Sequence, residues 1–166
     1  IGALDGPGLL GADNVDITNI QSASRRVTKG ALFVAVRGTA VDGHAYMDSA
    51  IEKGAVAIVC EEVPSYLEGR CSFIVVKDSA EALGLLVSRW YGDPSRKLVL
   101  VGVTGTNGKT TIATLLYEMF RKMGHKVGLL STVCNYIDGE AVPTDHTTPD
   151  PLTLHSLMAR MVEAGC

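Results

Sequence analysis

The stretch that decides the fold is LVLVGVTGTNGKTT, residues 98–111. The apolar run at 98–101 predicts a strand, and apolar residues at helical spacing predict a helix from Thr110 onward. The glycines between them predict a turn whose backbone N–H groups converge on an anion at the positive end of that helix. Strand, glycine-rich turn and helix in this order predict a phosphate-binding loop.

The residue types in this loop suit a nucleotide phosphate. Gly105 and Gly108 tolerate positive φ and a close approach of the backbone. The Lys109 side chain can reach β- and γ-phosphates, and the Thr110 hydroxyl can bind Mg²⁺. The spacing departs from the usual G-x-x-x-x-G-K-[ST] pattern, because Val103 stands where its first glycine would be. We predict that this loop binds the phosphates of a nucleotide.

The sequence after the loop predicts a parallel sheet. The run at 127–130 predicts the next strand, and strand, helix, strand in this order requires a right-handed crossover between parallel strands. Asp138-Gly139 predicts a hairpin turn, and Asp150-Pro151 predicts the start of a final helix. The helix after the loop is expected to bury one apolar face made of Ile112, Leu115, Leu116, Met119, Phe120 and Met123.

Upstream of the loop, short apolar runs alternate with helical patterns. A helix is predicted at 44–53, ending at Gly54, and a second one is capped by Asp78 and packs Trp90 into the core. Buried strands are predicted at residues 31–36, 55–60 and 72–76.

The predicted fold class is α/β with two domains. The GDPS segment at 92–95 breaks the second helix, so we place a domain boundary there. Residues 1–93 form a small N-terminal α/β domain, and residues 94–166 form the truncated start of a parallel-sheet P-loop ATPase domain.

Composition excludes several classes of protein. The 166 residues are 46% hydrophobic and 20% charged, which excludes disorder, collagen-like repeats and coiled coil. The apolar runs, such as 31–36, are far shorter than the ~20 residues of a membrane span. A net charge of −3 argues against a nucleic-acid partner. The four cysteines lack metal-binding spacing and the N-terminus lacks a basic start, so we expect a cytoplasmic protein without a signal peptide.

Three segments resemble the Mur ligase family. Residues 104–111, TGTNGKTT, are similar to the family's phosphate loop, and residues 24–43 are similar to its N-terminal uridine-nucleotide domain. Residues 146–150, HTTPD, resemble a segment of the members that add the third residue of the peptidoglycan stem. The resemblance extends from about Ile17 to Cys166. It implies a bacterial enzyme that uses ATP to join a carboxylate to an amine through an acyl phosphate.

The resemblance also implies ATP binding, with Lys109 as the catalytic residue, and it implies substrates and further site residues. The residues implied to bind the ATP phosphates are Gly105, Thr106, Asn107, Gly108, Lys109, Thr110 and Thr111. The parent enzyme would add meso-diaminopimelate or L-lysine to UDP-N-acetylmuramoyl-L-Ala-D-Glu, with Mg²⁺ held in part by Thr110. Its Mg-binding Glu, carbamylated Lys and C-terminal domain would lie beyond Cys166. We therefore expect a fragment that is inactive alone, and a monomer. The residues implied to contact the UDP-muramoyl-dipeptide are Ser22, Ser24, Thr39, Ala40, Val41, Thr147 and Thr148.

Other classes of function stay open on the sequence. They are a ligase resembling folylpolyglutamate synthetase, a P-loop kinase or GTPase, and a non-catalytic module that binds a nucleotide sugar. No Asn-Lys-x-Asp motif occurs, which counts against a GTPase. His44, His125 and His155 have no partner at metal-binding spacing, so we expect them to be surface or core residues.

Overall fold

A computed structural model describes residues 8–12, 14–38, 41–143 and 150–166. The chain divides into two compact units, Ile1–Arg89 and Trp90–Cys166. This division falls close to the expected domain boundary after residue 93, which stays a prediction.

Within the described residues, the first unit forms a five-stranded sheet with the order β1-β5-β4-β3-β2. Strands β2 to β5 run parallel to one another, and β1 is antiparallel to β5. Short 3₁₀ turns lie at Ser24–Arg26, Gly43–Tyr46 and Ser65–Leu67. The strands and helices are β1 (Gly8–Leu10), β2 (Asn19–Gln21), β3 (Ala31–Val34), α1 (Met47–Glu52), β4 (Ala55–Cys60), β5 (Ser72–Val75) and α2 (Ser79–Trp90).

The parallel strands confirm the strand predictions made from apolar runs. All four residues of β3 are buried, and β4 is buried at five of its six positions. Such continuous apolar runs are typical of parallel strands that are covered on both faces. Phe33, Ile58 and Phe73 form the core together with Met47 and Leu67. Because β2 to β5 are parallel, the segments that follow them share one edge of the sheet.

Helix α2 confirms one prediction and contradicts another. The Asp78 carboxylate accepts hydrogen bonds from the N–H groups of Ala80 and Glu81, both at 2.9 Å, as expected of a helix cap. The prediction that Trp90 packs into the core is wrong, because Trp90 is 46% exposed. Burial along α2 ends at Val87. Helical spacing shows which residues share a face, but it does not show how far the covering surface extends.

In the second unit, the described residues form an antiparallel sheet of order β6-β7-β8. The hairpin prediction is confirmed, because Asp138 and Gly139 join β7 to β8 with φ values of 45° and 94°. The predicted cap is also confirmed, since Asp150 accepts the Thr153 N–H at 2.9 Å. The elements are α3 (Lys109–Lys122), β6 (Gly128–Leu129), β7 (Asn135–Ile137), β8 (Glu140–Val142) and α4 (Pro151–Ala164).

The predicted strand at 98–101 and the parallel sheet around it are absent from the described part of the second unit. Val99 is 96% exposed, and Ile112 and Leu115 of the predicted buried face are 50% and 64% exposed. Tyr117 is the buried residue of α3. An apolar run records a tendency to be buried, but a parallel strand also needs neighbouring strands to bond with. Within the described residues, no helix has the length and apolar character needed to cross a membrane.

Candidate functional site

The predicted phosphate loop, residues 105–111, has the backbone conformation that its glycines predict. Gly105 has φ +147° and Gly108 has φ +77°, a region that residues with a side chain rarely adopt. Gly108 is also the N-cap of α3, which begins at Lys109. A Cβ on Gly108 would have open space around it, so conformation and not crowding requires glycine there.

The Lys109 side chain folds back over this loop. Its Nζ donates to the carbonyl oxygen of Gly105 at 2.6 Å and to that of Thr106 at 3.5 Å. The ammonium group therefore lies beside the N-terminus of α3, whose dipole carries roughly half a positive unit charge. Two sources of positive charge thus converge on one exposed loop, the arrangement that a polyphosphate requires.

The remaining predicted loop residues surround this position. Thr106, Asn107 and Thr111 are exposed, and Thr110 is half-buried in the first turn of α3. Among the described residues, no group of three His, Cys, Asp or Glu side chains could hold a metal ion. Thr110 stays the predicted Mg²⁺ ligand of this loop, and Mg²⁺ characteristically adds phosphate oxygens and water to few protein ligands.

The first unit brings together several residues predicted to contact the UDP-muramoyl-dipeptide. Ser22 and Ser24 follow β2 and Val41 follows β3, so they lie at the same edge of adjacent parallel strands. Ser22 and Ser24 are half-buried and Val41 is 57% exposed. The Ser24 carbonyl accepts a hydrogen bond from Lys53 Nζ at 3.0 Å. Thr39, Ala40, Thr147 and Thr148 lie outside the described residues.

Sequence reasoning missed a polar cluster at this same edge, which we call the Glu61 cluster; its members are Arg37, Asp42, His44, Glu61 and Ser79. Hydrogen bonds from Ser79, and the nearby guanidinium of Arg37, hold the pKa of Glu61 below its usual range. Hydrogen bonds from His44 do the same to the pKa of Asp42. The only local sequence signal is the Asp-Gly-His triplet at 42–44.

The two cysteines of the first unit, Cys60 and Cys71, have thiols of raised pKa. All four cysteines of the chain are free, and Cys60 is fully buried in β4. Burial raises the pKa of Cys60 and of Cys71 to about 11 in each case. Both side chains are therefore neutral thiols near pH 7, which disfavours a role as nucleophile or metal ligand.

A glycine-rich loop at a helix N-terminus, such as the one at residues 105–108, is an arrangement with which many proteins bind phosphate groups. Two models of one family match the chain: "Mur ligase family, catalytic domain" over residues 16–91 and "Mur ligase middle domain" over residues 103–166. The chain belongs to the Mur ligase family.

Individual relatives carry a more specific name. The chain is 95% identical over 166 residues to the UDP-N-acetylmuramoyl-L-alanyl-D-glutamate--2,6-diaminopimelate ligase of Parabacteroides distasonis, covering 100% of this chain and 34% of that protein. It is 58% identical over 158 residues to the protein of the same name from Bacteroides fragilis, covering 95% and 33%. The chain thus spans about a third of the length of these relatives.

A solved structure shows the same fold. It is a UDP-N-acetylmuramoyl-L-alanyl-D-glutamate--2,6-diaminopimelate ligase, which superposes with a TM-score of 0.67 at 22% identity. The match covers 90% of this chain and 30% of that one. At this identity the likeness establishes the fold alone, and it supports the α/β class of the chain.

Proposed function

We propose that this chain is the N-terminal part of an ATP-dependent amide ligase of peptidoglycan synthesis. The enzyme adds the third stem residue to UDP-N-acetylmuramoyl-L-Ala-D-Glu in the bacterial cytoplasm. The observation that carries the proposal is 95% identity along the whole chain to a relative named as the 2,6-diaminopimelate ligase. The names of the relatives favour meso-diaminopimelate over L-lysine as the amine. The loop geometry supports ATP as the energy source.

The residues of this chain divide the work between two places. The edge that carries Ser22, Ser24 and Val41 binds the uridine end of the substrate. The loop at 105–111 binds the ATP phosphates, and Lys109 supplies a positive charge for the phosphoryl group that is transferred. The D-Glu carboxylate attacks the γ-phosphorus, ADP leaves, and the amine then displaces phosphate from the acyl phosphate. Electrostatics and positioning account for the role of these residues, because no side-chain nucleophile is required.

The test is phosphate release by the full-length protein given ATP, Mg²⁺ and UDP-N-acetylmuramoyl-L-Ala-D-Glu, with meso-diaminopimelate or L-lysine as the amine. We expect release that depends on meso-diaminopimelate. Release with L-lysine alone would contradict the choice of amine. A folded protein that binds ATP but is inactive with both amines would contradict the ligase and favour a folate substrate or a non-catalytic binding module.

Thr110 gives the proposal a test at a single residue. When bound, Mg²⁺ neutralises phosphate charge, and Thr110 is its proposed ligand from this part of the chain. Thr110→Ala in the full-length protein is expected to raise the Mg²⁺ concentration for half-maximal phosphate release about tenfold, the scale of one lost contact. Thr114→Ala, an exposed position one turn further along α3, is the matched control. If both variants respond to Mg²⁺ alike, Thr110 is not a metal ligand.

A further inference from the structure

The Glu61 cluster connects three segments at the carboxyl edge of the first sheet. Arg37, Asp42 and His44 follow β3, Glu61 follows β4, and Ser79 begins α2. The proposed function assigns no role to any of these residues. Their hydrogen bonds nevertheless reach the loop that starts at Arg37 and ends at Asp42, and Val41 belongs to this loop.

Ser79 is the buried member of the cluster, and it binds the half-buried Glu61. The Glu61 carboxylate accepts from Ser79 Oγ at 2.7 Å and from the Ser79 N–H at 3.1 Å. Ser79 is 1% exposed, and its Oγ also accepts the Arg37 N–H at 3.1 Å. The other Glu61 oxygen lies 3.4 Å from the Arg37 guanidinium. The first residue of the loop is therefore held through both its backbone and its side chain.

His44 holds the other end of the loop. Its Nε2 accepts the Glu61 N–H at 2.9 Å, so the ring proton is on Nδ1, which donates to Asp42 Oδ1 at 2.7 Å. Asp42 Oδ1 also accepts the His44 N–H at 2.9 Å. Asp42 Oδ2 lies 3.7 Å from Arg37 Nε, which joins the two ends of the loop.

The described residues between and beside these anchors make close backbone contacts. Arg37 and Asp42 form an isolated antiparallel bridge, and the Gly38 N–H donates to the Val41 carbonyl at 3.1 Å. A Cβ on Gly43 would lie 2.7 Å from both the nitrogen and the oxygen of Val36, so a side chain cannot be added there without moving the backbone. Val41 thus lies between its hydrogen bond to Gly38 and the adjacent Asp42, while Arg37 ties this stretch to Glu61 and Ser79.

We infer that Glu61 is a positioning residue for the uridine end of the substrate. It acts through Ser79 and Arg37 on the loop that carries Val41. This inference rests on the proposed function of that edge. Glu61 does not contact the substrate itself. Its carboxylate sets the conformation in which Val41 meets the ligand, so its loss affects the binding of one substrate and leaves the ATP site unchanged.

The experiment compares Glu61→Ala, Glu61→Gln and the control Glu62→Gln in the full-length protein; Glu62 is exposed and adjacent in sequence. We expect Glu61→Ala to raise the KM for UDP-N-acetylmuramoyl-L-Ala-D-Glu about tenfold, the scale of one lost charge-assisted hydrogen bond. Glu61→Gln should lie between Glu61→Ala and the wild type, because the amide oxygen still accepts from Ser79 but carries no charge for Arg37. In both Glu61 variants, kcat and the KM for ATP should change by less than about twofold, well below the effect of one lost contact. In the Glu62→Gln control, kcat and both KM values should stay within the same limit.

Two results would overturn the inference: an unchanged KM for the UDP substrate in both Glu61 variants, or equal increases in the KM values for both substrates. The second result would mean that Glu61 only stabilises the fold. If the wild type shows no turnover, the ligase proposal fails by itself. Calorimetric titration with UDP then still tests the positioning role, because Glu61→Ala should weaken UDP binding by a similar factor.

Discussion

Replacing Lys109 by alanine in the full-length protein is expected to lower ATP-dependent phosphate release by at least ~10²-fold, the effect of losing one contact to charge that develops in the transition state. The Lys109 ammonium lies 2.6 Å from the Gly105 carbonyl oxygen, at the N-terminus of α3. No other lysine or arginine of α3 lies in its first turn, since Arg121 and Lys122 lie in its last turn. The charge lost in this variant therefore has no nearby replacement within the helix.

The matched control is Lys122→Ala, which removes the same charge from the opposite end of α3. We expect phosphate release by this control to stay close to that of the wild type. The measurement is the steady-state rate with ATP, Mg²⁺ and both other substrates at saturation. A Lys109→Ala variant with near-normal turnover would exclude Lys109 from the mechanism.

Replacing Phe33 by alanine is expected to destabilise the first unit by about 3–5 kcal/mol, the cost of truncating a buried aromatic side chain. Phe33 is 1% exposed and lies in β3, where it pairs with Gln21 of β2 and Ile58 of β4. Its removal leaves a cavity on the face of the sheet, in the core that Phe33 shares with Met47, Leu67 and Phe73. A loss of this size is comparable to the entire stability of many domains.

Leu85→Ala is the control for Phe33→Ala, because Leu85 lies on α2 and is 42% exposed. Urea denaturation followed by far-UV circular dichroism measures the free energy of unfolding of both variants. Hydrogen exchange of the β3 and β4 amides measures how well the sheet is protected in each. We expect faster exchange in Phe33→Ala and little change in Leu85→Ala. Equal protection of these amides in the two variants would show that Phe33 does not hold the sheet together.

The sequence predicted the first unit well because its signals are local. The runs at 31–36, 55–60 and 72–76 are apolar at nearly every position, as is typical of parallel strands covered on both faces. Gly54 ends α1 with φ +97°, as its position after a helical pattern predicts. The Asp78 cap of α2 was also predicted correctly, because a helix cap involves only neighbours in sequence.

The sequence predicted the second unit less well because its signals depend on partners. The apolar run at 98–101 and the apolar face of α3 both predict buried residues, but burial requires other elements to pack against them. The described residues supply β6, β7 and β8, and these leave Val99 and Leu115 exposed. The hairpin at Asp138-Gly139 and the helix after Asp150 were predicted correctly, because turn and cap geometry is again local.

The sequence by itself determined the glycine-rich turn at residues 105–108 and the helix that begins at Lys109, because positive φ at two glycines and the start of a helix are local properties. Only the tertiary structure decided which distant residues support the substrate edge. Arg37, Glu61 and Ser79 are far apart in the chain, and they meet because parallel strands bring their carboxyl ends to one edge of the sheet. No spacing in the sequence encodes that meeting, since it depends on the order in which the strands pair.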